Sequence, residues 1–313
     1  MRNKLLLLGV IIGGLITLGW PTTAVSAAPL QGITLSPFLQ PVEINPGDTS
    51  KTFTLTITNN MLSAQQLHLS PQDFGSLNDS GGILFAGNAE YSQKYGLTSW
   101  LTLATNSVLL EPGESKAVDV TIDNRSSLQP GGHYGAVIAS IDSESIKGSN
   151  NVQISQQLTS LILVTKHGGE HFDLSLKDIA PNGNWLHLPN TVRLRFQNPG
   201  NVHVIPRGVV SLKNSAGQVV ARGVINDDSN YVLPETYRQI YVKLTPVKTG
   251  IQLPGPYTVS VDYRYDGLAV TRNKTIGLRF AGLKIYLVFI LIVGLLIVVG
   301  FRRYKRRNPV NAN

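Results

Sequence analysis

The sequence predicts an all-β exported body of two tandem sandwiches, carried between apolar segments at either end of the 313-residue chain. Three observations point there. Apolar and polar residues alternate with period two in segment after segment, while no stretch of the body keeps a helical period. Pro-Gly, Gly-Gly and Asn-Pro-Gly turns punctuate these segments at short spacing, as in β-sandwiches. The two end segments differ from everything between them in being almost free of charge.

The first apolar segment lies in residues 1–28, where Arg2 and Lys4 precede a run from Leu5 to Trp20, and Val25-Ser26-Ala27 precede Ala28. A charged start, an apolar centre and small residues before a cut describe a secretory signal peptide. An uncleaved N-terminal anchor is the alternative. At the other end, residues 284–301 are expected to form one transmembrane helix. Ile285 to Phe301 carries no charge and runs straight into Arg302-Arg303-Tyr304-Lys305-Arg306-Arg307. Seventeen residues rise about 25 Å at 1.5 Å each, the short end of what a ~30 Å hydrocarbon core requires. The positive-inside rule puts residues 302–313 in the cytoplasm as a basic tail and the body outside a cell membrane.

Between the ends, residues 29–166 and 167–281 are read as two immunoglobulin-like β-sandwich domains. Phe53, Leu55 and Ile57 oppose a row of threonines in 52–58, and Val118, Val120 and Ile122 alternate with polar residues in 116–123. In the second half, Phe172, Leu174 and Leu176, then Val192, Leu194 and Phe196, then Ile240, Val242 and Leu244 do the same. Each such segment has one face for a core and one for water, the requirement of an antiparallel sheet. Leu158–Val164 closes the first domain, and the joint 166–171, KHGGEH, is too short for a floppy linker.

Two strands share an introduction. Residues 45–59 read NPGDTSKTFTLTITN and residues 111–124 read EPGESKAVDVTIDN. Proline fixes φ, glycine takes the next turn position, and the following acid and hydroxyls satisfy backbone groups as the chain enters a strand. In each copy one acid follows the glycine and there is no histidine, so the repeat is read as mechanical. It predicts that 52–58 and 116–123 are neighbours in one sheet, with Asn59 and Asn124 opening the exit turns.

The formal charge of +8 resides outside the body. The signal segment, Lys284 and the tail account for it, and the body balances 19 basic against 19 acidic residues. Nucleic acid is therefore not an expected partner. The balance is uneven: residues 28–166 are net −5 and residues 167–281 net +5, which puts the basic half beside the membrane. The chain has no cysteine, so the body folds without disulfides, as bacterial surface proteins commonly do.

No catalytic constellation emerges, and the chain is read as non-enzymatic, with no cofactor and no metal site. His167 and His171 flank a Gly-Gly pair that argues against the helix their spacing would need to converge on a metal. Asp73-Phe74-Gly75 lacks the companions that give such a triplet meaning in kinases. The segment 75–106 interrupts the strand pattern with a one-turn helix candidate, and long insertions of this kind are where binding residues gather. Tyr91, Tyr95 and Trp100 there, with His133 and Tyr134 after Pro130-Gly131-Gly132, form the candidate ligand-binding set. Trp100 and Leu101 also suit a core-capping role.

The order of these segments resembles the WxL-interacting proteins of Gram-positive cell surfaces. The residues that carry the resemblance are PGDTSKTFTLTITNN, GLTSWLTL, VLLEPGESKAVDVTIDN, PGGHYGAVIAS and VRLRFQNPGNVHVIPRGVVSLKNSAGQVV, followed by the span and basic tail. The resemblance implies a peptidoglycan-binding first domain, a second domain that binds partner proteins, and WxL-type surface proteins as companions. The expected function is a membrane-anchored binding and scaffold protein that engages peptidoglycan or another wall polymer, exported surface proteins, and the bilayer through 285–301. The alternative is a chaperone-like assembly protein that pairs a β edge with an exported client.

Overall fold

The computed structural model describes residues 32–85, 93–141, 157–184, 186–247 and 252–307. The signal segment lies outside the described residues. The described chain is mostly β-sheet, with one apolar helix at its C-terminal end.

Among the described residues the first half supplies ten strands, beginning with β1 (Ile33–Ser36), β2 (Leu39–Ile44), β3 (Ser50–Asn59), β4 (Gln65–Ser76) and β5 (Ile83–Phe85). After two 3-10 turns, Gln93–Tyr95 and Thr98–Trp100, come β6 (Leu101–Leu103), β7 (Ser107–Leu110), β8 (Ser115–Asp123), β9 (Gly131–Ile141) and β10 (Gln157–Lys166). One sheet runs β1-β3-β8-β6, the other β2-β10-β9-β4-β5 with β7 also on β4. The chain passes from the first sheet to the second between β1 and β2, and β2 then lies parallel to β10. Leu55, Ile57, Val118, Val120 and Ile122 from one sheet and Leu67, Leu69, Val137, Ile162 and Val164 from the other bury in one core. Full burial of such a side chain stabilises by roughly 1.5–3 kcal/mol.

The repeated Pro-Gly segments explain themselves here. β3 and β8 are antiparallel neighbours, with Phe53 opposite Val120 and Leu55 opposite Val118, as the sequence predicts. Each acid closes its own turn: Asp48 Oδ2 accepts from the Asn45 N–H at 2.7 Å, and Glu114 Oε2 from the Glu111 N–H at 2.8 Å. Because the strands run in opposite directions, each exit asparagine meets the other copy's turn. Asn59 Nδ2 donates to the Leu110 and Glu111 carbonyls at 3.0 and 3.2 Å, and Asn124 Nδ2 to the Asp48 carbonyl at 2.6 Å. On the outer face Thr52 bonds Thr121, Thr54 donates to Asp119 and Thr58 bonds Ser115, so the hydroxyls lace the two strands together.

The second half holds β11 (Ser175–Pro181), β12 (Thr191–Gln197), β13 (Arg207–Lys213), β14 (Val219–Ile225), β15 (Tyr237–Lys243), β16 (Thr245–Pro246), β17 (Gly255–Arg264) and β18 (Arg272–Phe280). Its sheets are β11-β12-β15 and β16-β14-β13-β17-β18. Their inner faces share a second core, where Phe196 meets Tyr263 edge-on at 5.3 Å. One strand starts later than its alternation predicts. Leu174 is buried ahead of β11, and a register shift between Leu176 and Asp178 turns Ile179, rather than the next alternate residue, into the core.

Only Ala281 and Gly282 separate β18 from α1 (Leu283–Arg307). Its stretch Tyr286–Tyr304 has mean hydropathy 2.2 and none of it is buried against the body. A helix apolar on all sides and covered by no protein is a candidate membrane span.

Candidate functional site: the joint and cleft between the halves

β9 departs from alternation. Gly131 to Ala139 is buried without a break, so both faces of this strand are covered. One face belongs to the first core. The other forms a third apolar cluster in which Phe74, Tyr95, Tyr134, Ala136 and Leu163 pack with Tyr231 and Leu233 of the second half. The joint between the halves is thus a small core in its own right.

Tyr134 is its centre. The side chain is fully buried, and its hydroxyl lies 3.2 Å from His203 Nδ1. The rings of Phe74, Tyr95 and His203 surround it at 5.9, 6.4 and 5.6 Å, and Tyr231 closes on His203 at 5.0 Å. Burial pushes the His203 imidazole down to about 4. His203 is therefore neutral at ordinary pH, and the Tyr134 hydroxyl shares a hydrogen bond with its Nδ1.

His133 points the other way from Tyr134, as adjacent strand residues must. Its Nδ1 lies 3.1 Å from the Gly96 carbonyl and its Nε2 2.7 Å from the Gln129 carbonyl. Burial lowers its pKa, and a neutral ring has one N–H, so it donates to one of these carbonyls at a time. Trp100 lies against this ring at 5.8 Å and donates from Nε1 to Ser127 Oγ at 3.1 Å. The Tyr95 hydroxyl donates to Glu235 Oε1 at 2.9 Å, and Lys94 Nζ meets the same oxygen at 2.5 Å. Asp73 Oδ1 accepts from the Leu97 and Thr98 N–H groups, both at 2.7 Å, and so holds the turn that carries Tyr95 and Trp100.

Four of the five candidate binding residues are therefore placed around β9: the Tyr95 and Tyr134 rings fill the joint, while His133 and Trp100 pack together on the other face of the strand. Tyr95, His133 and Tyr134 are buried, and Trp100 keeps a half-exposed ring at the margin. Tyr91 lies outside the described residues.

Polar contacts fix the angle between the halves. Glu170 accepts from His167 Nδ1 at 2.8 Å and from the Gly168 and Gly169 N–H groups at 2.7 and 3.1 Å. These bonds, the His167 contact foremost, pull its pKa down to about 2. The Gly132 N–H donates to the Asn201 carbonyl at 2.8 Å, and Asn201 Oδ1 accepts from the His171 N–H at 2.6 Å. A Cβ on Gly131, whose φ is +123°, would stand 2.8 Å from that same carbonyl. Close backbone approach is why this segment reads Gly-Gly. From the loop between β4 and β5, Asp79 Oδ2 accepts from Arg195 Nε at 2.6 Å, and its carbonyl accepts from the Gln239 N–H at 2.6 Å.

Beside this joint the halves separate into an open cleft of about 320 Å³. Its floor is the outer face of the β2-β10-β4-β5 side of the sheet, with Leu39, Leu161 and Leu163; its far wall runs from Asp228 to Arg238. Phe38 (72% exposed) and Ile83 (41% exposed) stand at it uncovered. Sequence reasoning did not find Arg238, Tyr231, His203 or Glu235. Among the described residues no group of three His, Asp or Glu side chains is placed to hold a metal.

No family model matches the chain, and no curated protein matches it. Among solved structures, it is similar to a chain of a chaperone–tip adhesin complex of CFA/I fimbriae biogenesis, at 12% identity over 79% of this chain and 98% of that one, TM-score 0.41. It is also similar to the class 5 fimbriae chaperone CfaA (12% identity, 80% and 100% covered, TM-score 0.38). A third is the E. coli chaperone DraB (13% identity, 80% and 96% covered, TM-score 0.35). Likeness this distant assigns neither a family nor a function.

Proposed function

We propose that the chain is an exported, membrane-tethered binding protein that handles another polypeptide without catalysis, in a chaperone-like or assembly role. Its two halves are tandem immunoglobulin-like sandwiches, and the client lies in the cleft between them. The observation that carries this reading is the pairing of a stiff joint with an uncovered apolar cleft. Leaving Phe38 and Ile83 in water is unfavourable by an amount comparable to burying them, roughly 1.5–3 kcal/mol per fully covered side chain. A joint held by a dedicated core keeps the cleft open before a client arrives, which lowers the ordering cost of binding. Tethering through α1 would hold a client near the membrane it has just crossed. A photo-crosslinker at Phe38 in intact cells tests the role. Adducts with exported polypeptides support it, and adducts confined to wall fragments overturn it.

The resemblance to WxL-interacting proteins supplies a second reading, a scaffold that holds peptidoglycan or a WxL-type surface protein at a Gram-positive surface. Trp100 favours it, as a half-exposed ring with a neighbouring hydroxyl of the kind sugar faces prefer. Retention of the full chain on purified wall sacculi, lost in Trp100→Ala, is the result this reading requires. Equal retention of the two proteins would remove it.

A further inference from the structure

We infer that the end of the second half from which α1 departs is a docking surface for an anionic phospholipid bilayer. Leu253 and Val247 enter the interface, and Lys213, Lys243 and Arg279 face the headgroup phosphates. The inference rests on α1 spanning that bilayer, and adds that the folded body lies on the membrane instead of standing clear of it.

The topology gathers this end from separate parts of the chain. β13 finishes at Lys213, paired with Val219 across a turn, and β15 finishes at Lys243, opposite Thr191. Val247 follows β16, and its N–H donates to the Val220 carbonyl at 2.9 Å. Gly255 at the start of β17 pairs with Phe280 at the end of β18. The turn between β11 and β12 joins them, since Gly183 and Asn184 share a groove with Arg279. The first half is bonded at the opposite end, through Asn201.

The start of α1 brings this end to the membrane. Only Ala281 and Gly282 separate Phe280 from the helix. The Phe280 ring meets Tyr257 edge-on at 5.7 Å, and Gly282 is buried, so the body is packed up to the last residue before Leu283. The apolar stretch begins at Tyr286, about 4.5 Å further along the helix. Two linking residues reach at most about 7 Å. Arg279 and Phe280 thus stand roughly within one Debye length, about 10 Å, of the headgroups.

Charge and polarity at this end match such a surface. The turns 181–191, 213–219 and 243–255 contain no Asp or Glu, and none follows Asp266. Acids of the second half lie toward the joint, as Glu170 and Glu235 do, or in mid-strand, where Asp178 is paired with Arg193 at 2.9 Å. The arginine ion pairs of this half use Arg193, Arg195 and Arg272 and leave Lys213, Lys243 and Arg279 out. Leu253 is 70% exposed and Val247 56% exposed. Uncovered apolar side chains among cations, with no acid between them, are complementary to phosphates above hydrocarbon.

The test places the full chain in lipid nanodiscs with an NBD fluorophore on Leu253→Cys, and on Leu62→Cys of the first half as control. NBD at Leu253 is expected to be at least twofold brighter in discs containing one third phosphatidylglycerol than in phosphatidylcholine discs. NBD at Leu62 should be the same in both. Lys213→Gln, Lys243→Gln and Arg279→Gln together should remove the gain, and Lys213→Arg, Lys243→Arg and Arg279→Lys together should keep it. Emission at Leu253 that ignores phosphatidylglycerol, in a chain that has entered the discs, overturns the inference and leaves the span standing. A gain that survives the glutamine substitutions overturns it as well. Emission that rises with soluble polyphosphate but not with phosphatidylglycerol gives this end to a wall polymer and overturns the lipid surface. A chain that fails to enter the discs overturns both the span and the inference.

Discussion

Tyr134 of the first half and His203 of the second meet hydroxyl to ring nitrogen at 3.2 Å, inside a small core that belongs to neither half alone. Burial of the ring there makes the joint sensitive to acid. The unfolded imidazole titrates near 6.5, the folded one at about 4. Between these values the unfolded chain takes up a proton that the folded chain refuses. The stability linked to His203 is therefore complete above pH 6.5, falls as pH falls, and is gone below about 4. The slope is about 1.4 kcal/mol per pH unit within that window. Urea unfolding of native protein and His203→Phe between pH 7 and 4.5 checks it: the difference between them should shrink or reverse as pH falls. A constant difference would contradict the buried, neutral ring.

The exit asparagines are unequal. Asn59 is fully buried and its side chain makes four bonds, to Ser63, Leu110, Glu111 and the Met61 N–H. The Asn124 side chain makes one, to Asp48. Asn59→Ala leaves several buried carbonyls without a donor and is expected to cost about 2–4 kcal/mol, against about 1 kcal/mol for Asn124→Ala. Thermal unfolding of the two variants ranks them.

Gly131 tests whether the halves are locked. A methyl there meets the Asn201 carbonyl and must adopt a φ of +123°. Gly131→Ala is expected to destabilise by about 2 kcal/mol or more, through backbone strain and loss of the Gly132–Asn201 bond. Limited proteolysis should then cut within 166–171 sooner than in the native protein, with both halves surviving as fragments.

The chain has no cysteine, which makes single-cysteine topology mapping direct. On the expected orientation, Ser215→Cys in the second half reacts with an impermeant maleimide on intact cells, and Ala312→Cys in the tail reacts only after permeabilisation. The reverse pattern would refute that orientation.

Some of this structure is legible in the sequence and some is not, for definable reasons. The pairing of β3 with β8 is readable because both strands repeat one turn chemistry, and antiparallel packing then sets each asparagine on the other's turn. The role of Tyr95 and Tyr134 is not readable from residue type, because an aromatic that stacks on a ligand and one that fills a joint are the same residue. A signal was present all the same. Gly135–Ala139 and Leu161–Val164 are apolar at successive positions, and a strand that is apolar on both faces must be covered on both. The second cover is the other half of the chain. Arg238 gave no such sign, since its place on the cleft wall is a property of the assembled fold.

The most direct test of the cleft as a polypeptide site compares photo-crosslinking yields at two exposed residues in intact cells. Phe38 stands at the cleft, while Leu62 is 90% exposed in the turn before β4 and lines no part of it. A strong polypeptide adduct from Phe38, with little from Leu62, is the expected result. Equal yields at the two positions, or none at Phe38, would contradict a client held between the halves.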